Sequence, residues 1–256
     1  MSRLVSSPDR CVILVKALPH RSSNYFETVC CAGVGHDMKW RRLYPVAFRV
    51  LESEQQFKRW HWVDYEFTAP SDDGRRESQK VDPLTIRVAK EMASAERSGL
   101  ARKMTRESTA EAASLGESLT LIKPTEVAFT WAEKSDGDLA EETQKHAALA
   151  SQLSLLNDPV EPLTPCPYAF SFRWKDGLGK VRNHTCDDWE TSTAFFRRRV
   201  SLGEEGALKS LRSTYEEDYP KRGMRLALGT HKRRQDQWLL VGVLRVDESP
   251  QGELAL

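Results

Sequence analysis

Along the first third of the chain, apolar and polar residues follow a rhythm of two broken by turn residues, which predicts strands. "CVILVKAL" (residues 11–18) is β-branched and continuously apolar, the pattern of a strand buried on both faces. "NYFETVCCAGV" (24–34) alternates in part and leads to Gly33 and Gly35, after which "GHD" marks a turn. "MKWRRLYPV" (38–46) returns as a third strand, closed by Pro45. "ESEQQFKRW" (52–60) has helical composition, "HWVDYEF" (61–67) alternates as another strand, and "APSDDGRRES" (69–78) reads as a loop. Four or five short strands and one helix within residues 1–90 predict a small β-barrel, OB-like or PUA-like.

The rhythm changes from residue 88. Residues 88–118 are rich in Ala, Glu, Lys and Ser with no Pro, which predicts one or two helices. "TLIKPTEVAFTW" (120–131) predicts a strand pair interrupted at Pro124, and "SDGDLAEETQKHAALASQLSLL" (135–156) a capped helix. "NDPVEPLTPCP" (157–167) holds four prolines, which deny it a helix or a central strand and mark it as an exposed linker. Beyond it, "YAFSFRW" and "VRNHT" predict a hairpin around the glycines of "KDGLGK". Two helical stretches follow, then two strands around the basic loop "THKRRQDQW". The pattern therefore predicts an α+β chain in five segments. These are a barrel-like domain at 1–90, a helical connecting segment at 91–156, the Pro-rich linker at 157–167, an α+β domain at 168–246 and an acidic tail at 247–256.

Composition narrows the class. A chain of 256 residues that is 39% hydrophobic and 29% charged suits a globular protein. No apolar run reaches the ~18 residues that span a bilayer, and the first ten residues lack the apolar core of a signal peptide. The expected location is the cytoplasm, with no membrane partner. Five cysteines, an odd number, argue against a disulfide framework. No Walker A loop, G-x-G-x-x-G, H-E-x-x-H or G-x-S-x-G motif is present.

Net charge is +1, but it is segregated. Residues 1–90 hold 15 Lys and Arg against 11 Asp and Glu, residues 91–165 hold 7 against 13, and residues 166–246 hold 16 against 10. Basic surface of this kind is the footprint of a nucleic-acid partner, with an ordinary mixed surface as the alternative. In the first basic region Lys39, Arg41 and Arg42 interleave with Trp40 and Tyr44. That arrangement suits phosphate contact and base stacking, although Trp40 fits a core position equally well. In the second, Lys232, Arg233 and Arg234 lie in the loop between two strands and can all reach outward.

The stretch "HTCDDWETSTAFFRRR" (184–199) supports two kinds of reading. Thr185 with Asp188, and Asp187 with Glu190, have capping-box spacing, and Arg197, Arg198 and Arg199 fall where a helix macrodipole favours cations. This leading reading needs no chemistry. In the alternative, Asp187, Asp188 and Glu190 with His184 form a Mg²⁺-dependent nuclease site. Cys166, His184 and Cys186 supply only three of the four ligands of a structural zinc, so no metal or other cofactor is expected.

"ETVCCAGV", "KWRRLYPVAFR", "FKRWHWV", "DGRRES", "PYAFSFRW", "HTCDDWE" and "LALGTHKRRQDQWLLVGVLRV" together resemble a family of uncharacterised prokaryotic proteins. Members of that family often carry a Cys-rich turn before the His-x-x-x-Asp-Trp-Glu segment, whereas this chain has "KDGLGKVRNHT" there, with no cysteine. The resemblance implies an association with restriction–modification and antiphage defence loci. The expected function is a non-catalytic nucleic-acid-binding accessory protein of an antiviral defence system, with DNA favoured over RNA and other defence proteins as further partners. A metal-dependent nuclease centred on residues 184–190 and a protein-interaction subunit are the alternatives.

Overall fold

In the computed structural model, residues 6–18, 20–21, 27–154 and 161–248 are described. The first apolar run forms β1 (Ser7–Lys16), followed by β2 (His20–Arg21), β3 (Glu27–Gly35), β4 (Trp40–Val46), β5 (His61–Thr68) and β6 (Ser78–Glu91). β1 pairs antiparallel with both β3 and β5, and β4 pairs antiparallel with β3 and parallel with β6. β5 neighbours β6, so the ring closes into a five-stranded barrel with β2 added at the edge of β3. Around the barrel the order is β1-β3-β4-β6-β5, in keeping with the small barrel expected from the sequence.

The register explains the apolar run. Cys11, Ile13, Cys31, Leu43 and Val63 fall on one face of the paired strands, and Val12, Val34, Trp40 and Trp62 on the other. Both sets are buried, so β1 cannot alternate with polar residues. The helix expected over residues 52–60 is absent. A capping box between Glu52 and Gln55 closes one 3₁₀ turn (Ser53–Gln55), and no second turn follows. Phe57 and Trp60 are buried instead, with Trp60 donating its amide to the Ile13 carbonyl at 2.7 Å.

The 88–118 region is not wholly helical, since β6 continues to Glu91. After it come α1 (Ser94–Met104), β7 (Thr105–Arg106) and α2 (Thr109–Ser114), the last capped by the Ser108 hydroxyl. β8 (Leu119–Ile122), β9 (Thr125–Glu133) and α3 (Asp136–Ser154) complete the middle of the chain. The remainder is the hairpin β10 (Tyr168–Lys175) and β11 (Val181–Thr185), α4 (Trp189–Ser213), a π-helical turn (Thr214–Asp218), α5 (Tyr219–Lys221), and the hairpin β12 (Met224–Thr230) and β13 (Trp238–Arg245). Gly203 divides α4 into two arms. Its φ of 68° and ψ of 177° are open to glycine alone, and across the break Arg198 donates to Ser210 and Thr214 at 3.2 and 2.8 Å.

The chain divides into two units, Met1–Lys90 with Trp131–Ala169, and Glu91–Thr130 with Phe170–Leu256. Hydrogen bonding accounts for this division, which differs from the linear segments read from the sequence. In the first unit α3 packs against β3. Residues 161–167 carry no helix or strand there, but the Glu161 carbonyl accepts from Arg49, the Leu163 carbonyl bonds His146 at 2.8 Å, and the Pro167 carbonyl accepts from Lys134 at 2.9 Å. Residues 157–160 of the Pro-rich stretch and the tail beyond Glu248 lie outside the described residues. In the second unit β8 pairs with β12, giving the sheet order β13-β12-β8-β7, while β9, β10 and β11 form a three-stranded sheet. Phe129, Phe170, Phe172, Phe195 and Tyr215 fill the core of this unit. Among the described residues, no helix is long and apolar enough to cross a membrane.

Candidate functional site

Asp188 is the N-cap of α4 and is only 1% exposed. Its Oδ1 accepts from the Glu190 amide at 3.2 Å, and its Oδ2 accepts from the Val243 amide of β13 at 3.0 Å. The N-cap is therefore the last residue of the Thr185–Asp188 pair read from spacing, and not the first residue of either pair. The third helical residue after it is Thr191, whose hydroxyl bonds the Tyr215 hydroxyl at 3.0 Å and receives the Cys186 thiol at 3.7 Å. The Asp187 amide donates to the Leu240 carbonyl at 2.8 Å, continuing the bridge between Cys186 and Leu240 that ties this turn to β13.

His184, on β11, stacks on Trp174 with ring centroids 5.7 Å apart. Burial, with nearby Arg182, pushes its pKa down and so favours the neutral ring. Burial pushes the Cys186 thiol up, which favours its protonated form. Among the described residues, no three His, Cys, Asp or Glu side chains are gathered in a way that could hold a metal ion. His184, Asp187, Asp188 and Glu190 are neighbours in sequence without forming such a group.

The basic and aromatic residues of β4 are arranged differently from a stacking face. Trp40 is 4% exposed and Arg42 is 5% exposed, because both faces of the strand are covered. Tyr44 is half-buried, and of this set only Lys39, in the preceding turn, is exposed. Arg41 donates Nε to Asp9 Oδ2 at 2.6 Å and Nη2 to Asp37 Oδ2 at 3.1 Å. Gln79 Nε2 bonds the same Asp9 oxygen at 2.7 Å, and Gln79 Oε1 accepts from the Tyr65 hydroxyl at 2.6 Å. The group is a structural network in the barrel.

That network carries a pH signature. Burial alone would raise the Asp9 carboxyl, but the bonds from Gln79 and Arg41 outweigh it and hold the pKa below the ordinary carboxylate range. A depressed folded-state pKa adds stability that is complete above the unfolded value of about 4 and is lost as pH falls through the folded value. Asp9→Asn should therefore flatten the acid limb of a stability–pH curve below about pH 4. Chemical denaturation across that range checks this, and an acid limb unchanged in Asp9→Asn would refute it.

Lys232, Arg233 and Arg234 are all exposed in the loop of residues 231–237. The loop is held at its base, where the His231 amide donates to the Gln237 carbonyl and the Gln237 amide to the Arg234 carbonyl, both at 2.9 Å. The sequence of the loop holds Lys232, Arg233 and Arg234 against one carboxylate, Asp236, so the tip of the hairpin has a net positive charge. The helical arginines are not equivalent to one another. Arg197 is exposed, Arg198 crosses to the second arm of α4, and Arg199 lies over the Phe196 ring at 5.1 Å.

A third cationic group had no signal in the sequence pattern. Arg225 is buried on β12, where the strand pattern alone gives a single arginine no special status, and it pairs with Glu248 at the start of the acidic tail. Only long-range pairing brings these residues together.

Residues 7–107 match the model of a domain of unknown function, DUF8758, and residues 97–255 match that of another, DUF8757. The second match begins within α1 and extends over more than half of the chain. No curated protein matches the sequence. Because the second match covers more than half of its length, the chain belongs to the family defined by the domain of unknown function DUF8757.

Proposed function

We propose that the protein binds nucleic acid, with DNA favoured, through the β12–β13 loop. The observation that carries this reading is the exposure of Lys232, Arg233 and Arg234 together at the tip of a hairpin whose strands pair from Met224–Arg245 to Thr230–Trp238, with one register shift between Ala227 and Leu228. Phosphates are contacted by cations that can reach outward from a rigid base, and such contacts position the chain without reading sequence. The excess of Lys and Arg over Asp and Glu in residues 166–246 supplies a favourable surrounding field.

Binding is preferred to catalysis because both oxygens of Asp188, the most buried carboxylate of the nuclease alternative, are engaged with backbone amides. The proposed setting is cytoplasmic, as an accessory of a prokaryotic antiviral defence system, where other defence proteins would be further partners. The defence role rests on the sequence resemblance alone.

The test is a titration of fluorescent oligonucleotides, single- and double-stranded, against the full chain at low salt. The expected result is binding that weakens to the same extent for every sequence when Lys232, Arg233 and Arg234 are replaced by alanine. Because Trp40 is buried, Trp40→Ala should lower stability without selectively removing single-strand binding. Failure of the wild-type chain to bind any oligonucleotide would reject the proposal and favour a protein-interaction role.

A further inference from the structure

Two pairs of cations flank the chain in the second unit where it leaves β13, Lys123 with Arg225 at Glu248 and Arg222 with Arg245 at Asp247. Arg225 is buried, at 3% exposure. Its Nε donates to the Thr105 hydroxyl at 3.0 Å, and its Nη1 donates to the Met224 carbonyl at 2.9 Å. Thr105 is held in turn by donating to the Ala101 carbonyl at 2.7 Å. The guanidinium is thus fixed on two sides, and its Nη2 meets the Glu248 carboxylate. Lys123 Nζ approaches that carboxylate at 3.5 Å.

One residue earlier, Asp247 lies 3.0 Å from Arg245 Nε and 3.9 Å from Arg222 Nη1. Both of these arginines also face Asp218, at 2.8 Å for Arg222 and 3.9 Å for Arg245. Among the described residues, Asp218 adds to this group a carboxylate that does not belong to the segment after β13.

That segment has the character of an occupant. The ladder between β12 and β13 ends at Met224 with Arg245, so Asp247 and Glu248 lie beyond the sheet. Asp247 adopts a φ of 56°, a left-handed conformation that costs energy in a non-glycine residue unless its surroundings impose it. Here it turns two consecutive carboxylates back onto the cations. Gly223, at φ 85°, leaves the space that Glu248 fills, since a Cβ there would come within 2.6 Å of Glu248 Cγ.

We propose that Lys123 with Arg225, and Arg222 with Arg245, form two adjacent anion-binding positions for phosphate groups of a nucleic-acid backbone, which Glu248 and Asp247 respectively occupy until such a ligand displaces them. The identity of the ligand rests on the nucleic-acid reading above, whereas the site itself does not. Arginine donors take a phosphate as readily as a carboxylate, and a phosphate brings more acceptor oxygens to a guanidinium that is already oriented. With the two carboxylates displaced, Asp218 would remain beside Arg222 and Arg245, and the four cations would leave a net positive field for a polyanion. Release of the segment would break the Val246 and Glu248 amide bonds to the Gly223 and Arg222 carbonyls and leave β13 paired.

The test uses the full chain carrying Asp247→Asn and Glu248→Gln, neutral replacements of nearly the same shape. Oligonucleotide affinity should rise by about tenfold at low salt, and the gain should disappear when Lys123→Gln and Arg245→Gln, both at largely exposed positions, are added. Inorganic phosphate should raise the melting temperature of the double variant more than that of the wild type. If phosphate does this while no variant binds an oligonucleotide, the anion site stands and the nucleic-acid reading fails. If wild type and double variant bind oligonucleotide equally and phosphate shifts neither, the site is overturned while the nucleic-acid reading stands.

Discussion

Phe129→Ala is expected to lower the unfolding free energy by about 3–5 kcal/mol, the cost of removing a large aromatic side chain from a core that cannot collapse around the void. Phe129 has no exposed surface. Its ring lies 5.5 Å from Phe170, 5.1 Å from Phe172 and 5.2 Å from Tyr215, all between centroids. Phe172 and Tyr215 are in contact themselves at 5.2 Å, and Phe170 continues to Phe195 on α4. One ring therefore joins the three-stranded sheet to the π-helical turn, and the rings around it are held by one another. Phe129→Leu fills most of the space and should cost no more than about 1–2 kcal/mol. Urea denaturation measures both, and a loss below about 1 kcal/mol for the alanine variant would contradict the packing described.

Asp188→Ala is expected to cost about 2–4 kcal/mol. Loss of an N-cap contributes about 1 kcal/mol, and the Val243 amide, buried and left without its acceptor, adds about 1–3 kcal/mol. The carboxylate joins the start of α4 to the middle of β13, so its removal acts on two elements at once. Mg²⁺ should leave the melting temperature of the wild type unchanged. Stabilisation by Mg²⁺ that is lost in Asp188→Asn would instead support the nuclease alternative.

Local periodicity made β1, β3, β4 and β5 of the barrel, the β10–β11 hairpin and the division of the long helical region near Gly203 readable from sequence. In each of these the pattern and the turn residues lie within a few positions of one another. The extension of β6 to Glu91 was hidden because "VAKEMASAE" has helical composition, while the pairing that makes it a strand comes from remote strands. The role of β8 was hidden for the same reason, since its partner β12 lies about a hundred residues away in sequence. At the candidate sites, the exposure of Lys232, Arg233 and Arg234 followed from their place between two strands. The burial of Trp40 and Arg42 did not, because alternation shows which residues share a face and leaves open whether a distant segment covers it. Asp188 was readable as a capping residue from its type and neighbourhood, but its second bond, to Val243, joins positions that no local motif connects.

The central claim is that the β12–β13 loop binds nucleic-acid phosphates. The most direct measurement is the dependence of the association constant on salt concentration for the wild-type chain and for the variant with alanine at Lys232, Arg233 and Arg234. Every duplex phosphate that a side chain ceases to neutralise takes about 0.9 off the magnitude of the log–log slope. The predicted slope is therefore shallower by about 2–3 units in the variant than in the wild type. Equal slopes in the two proteins would contradict the claim.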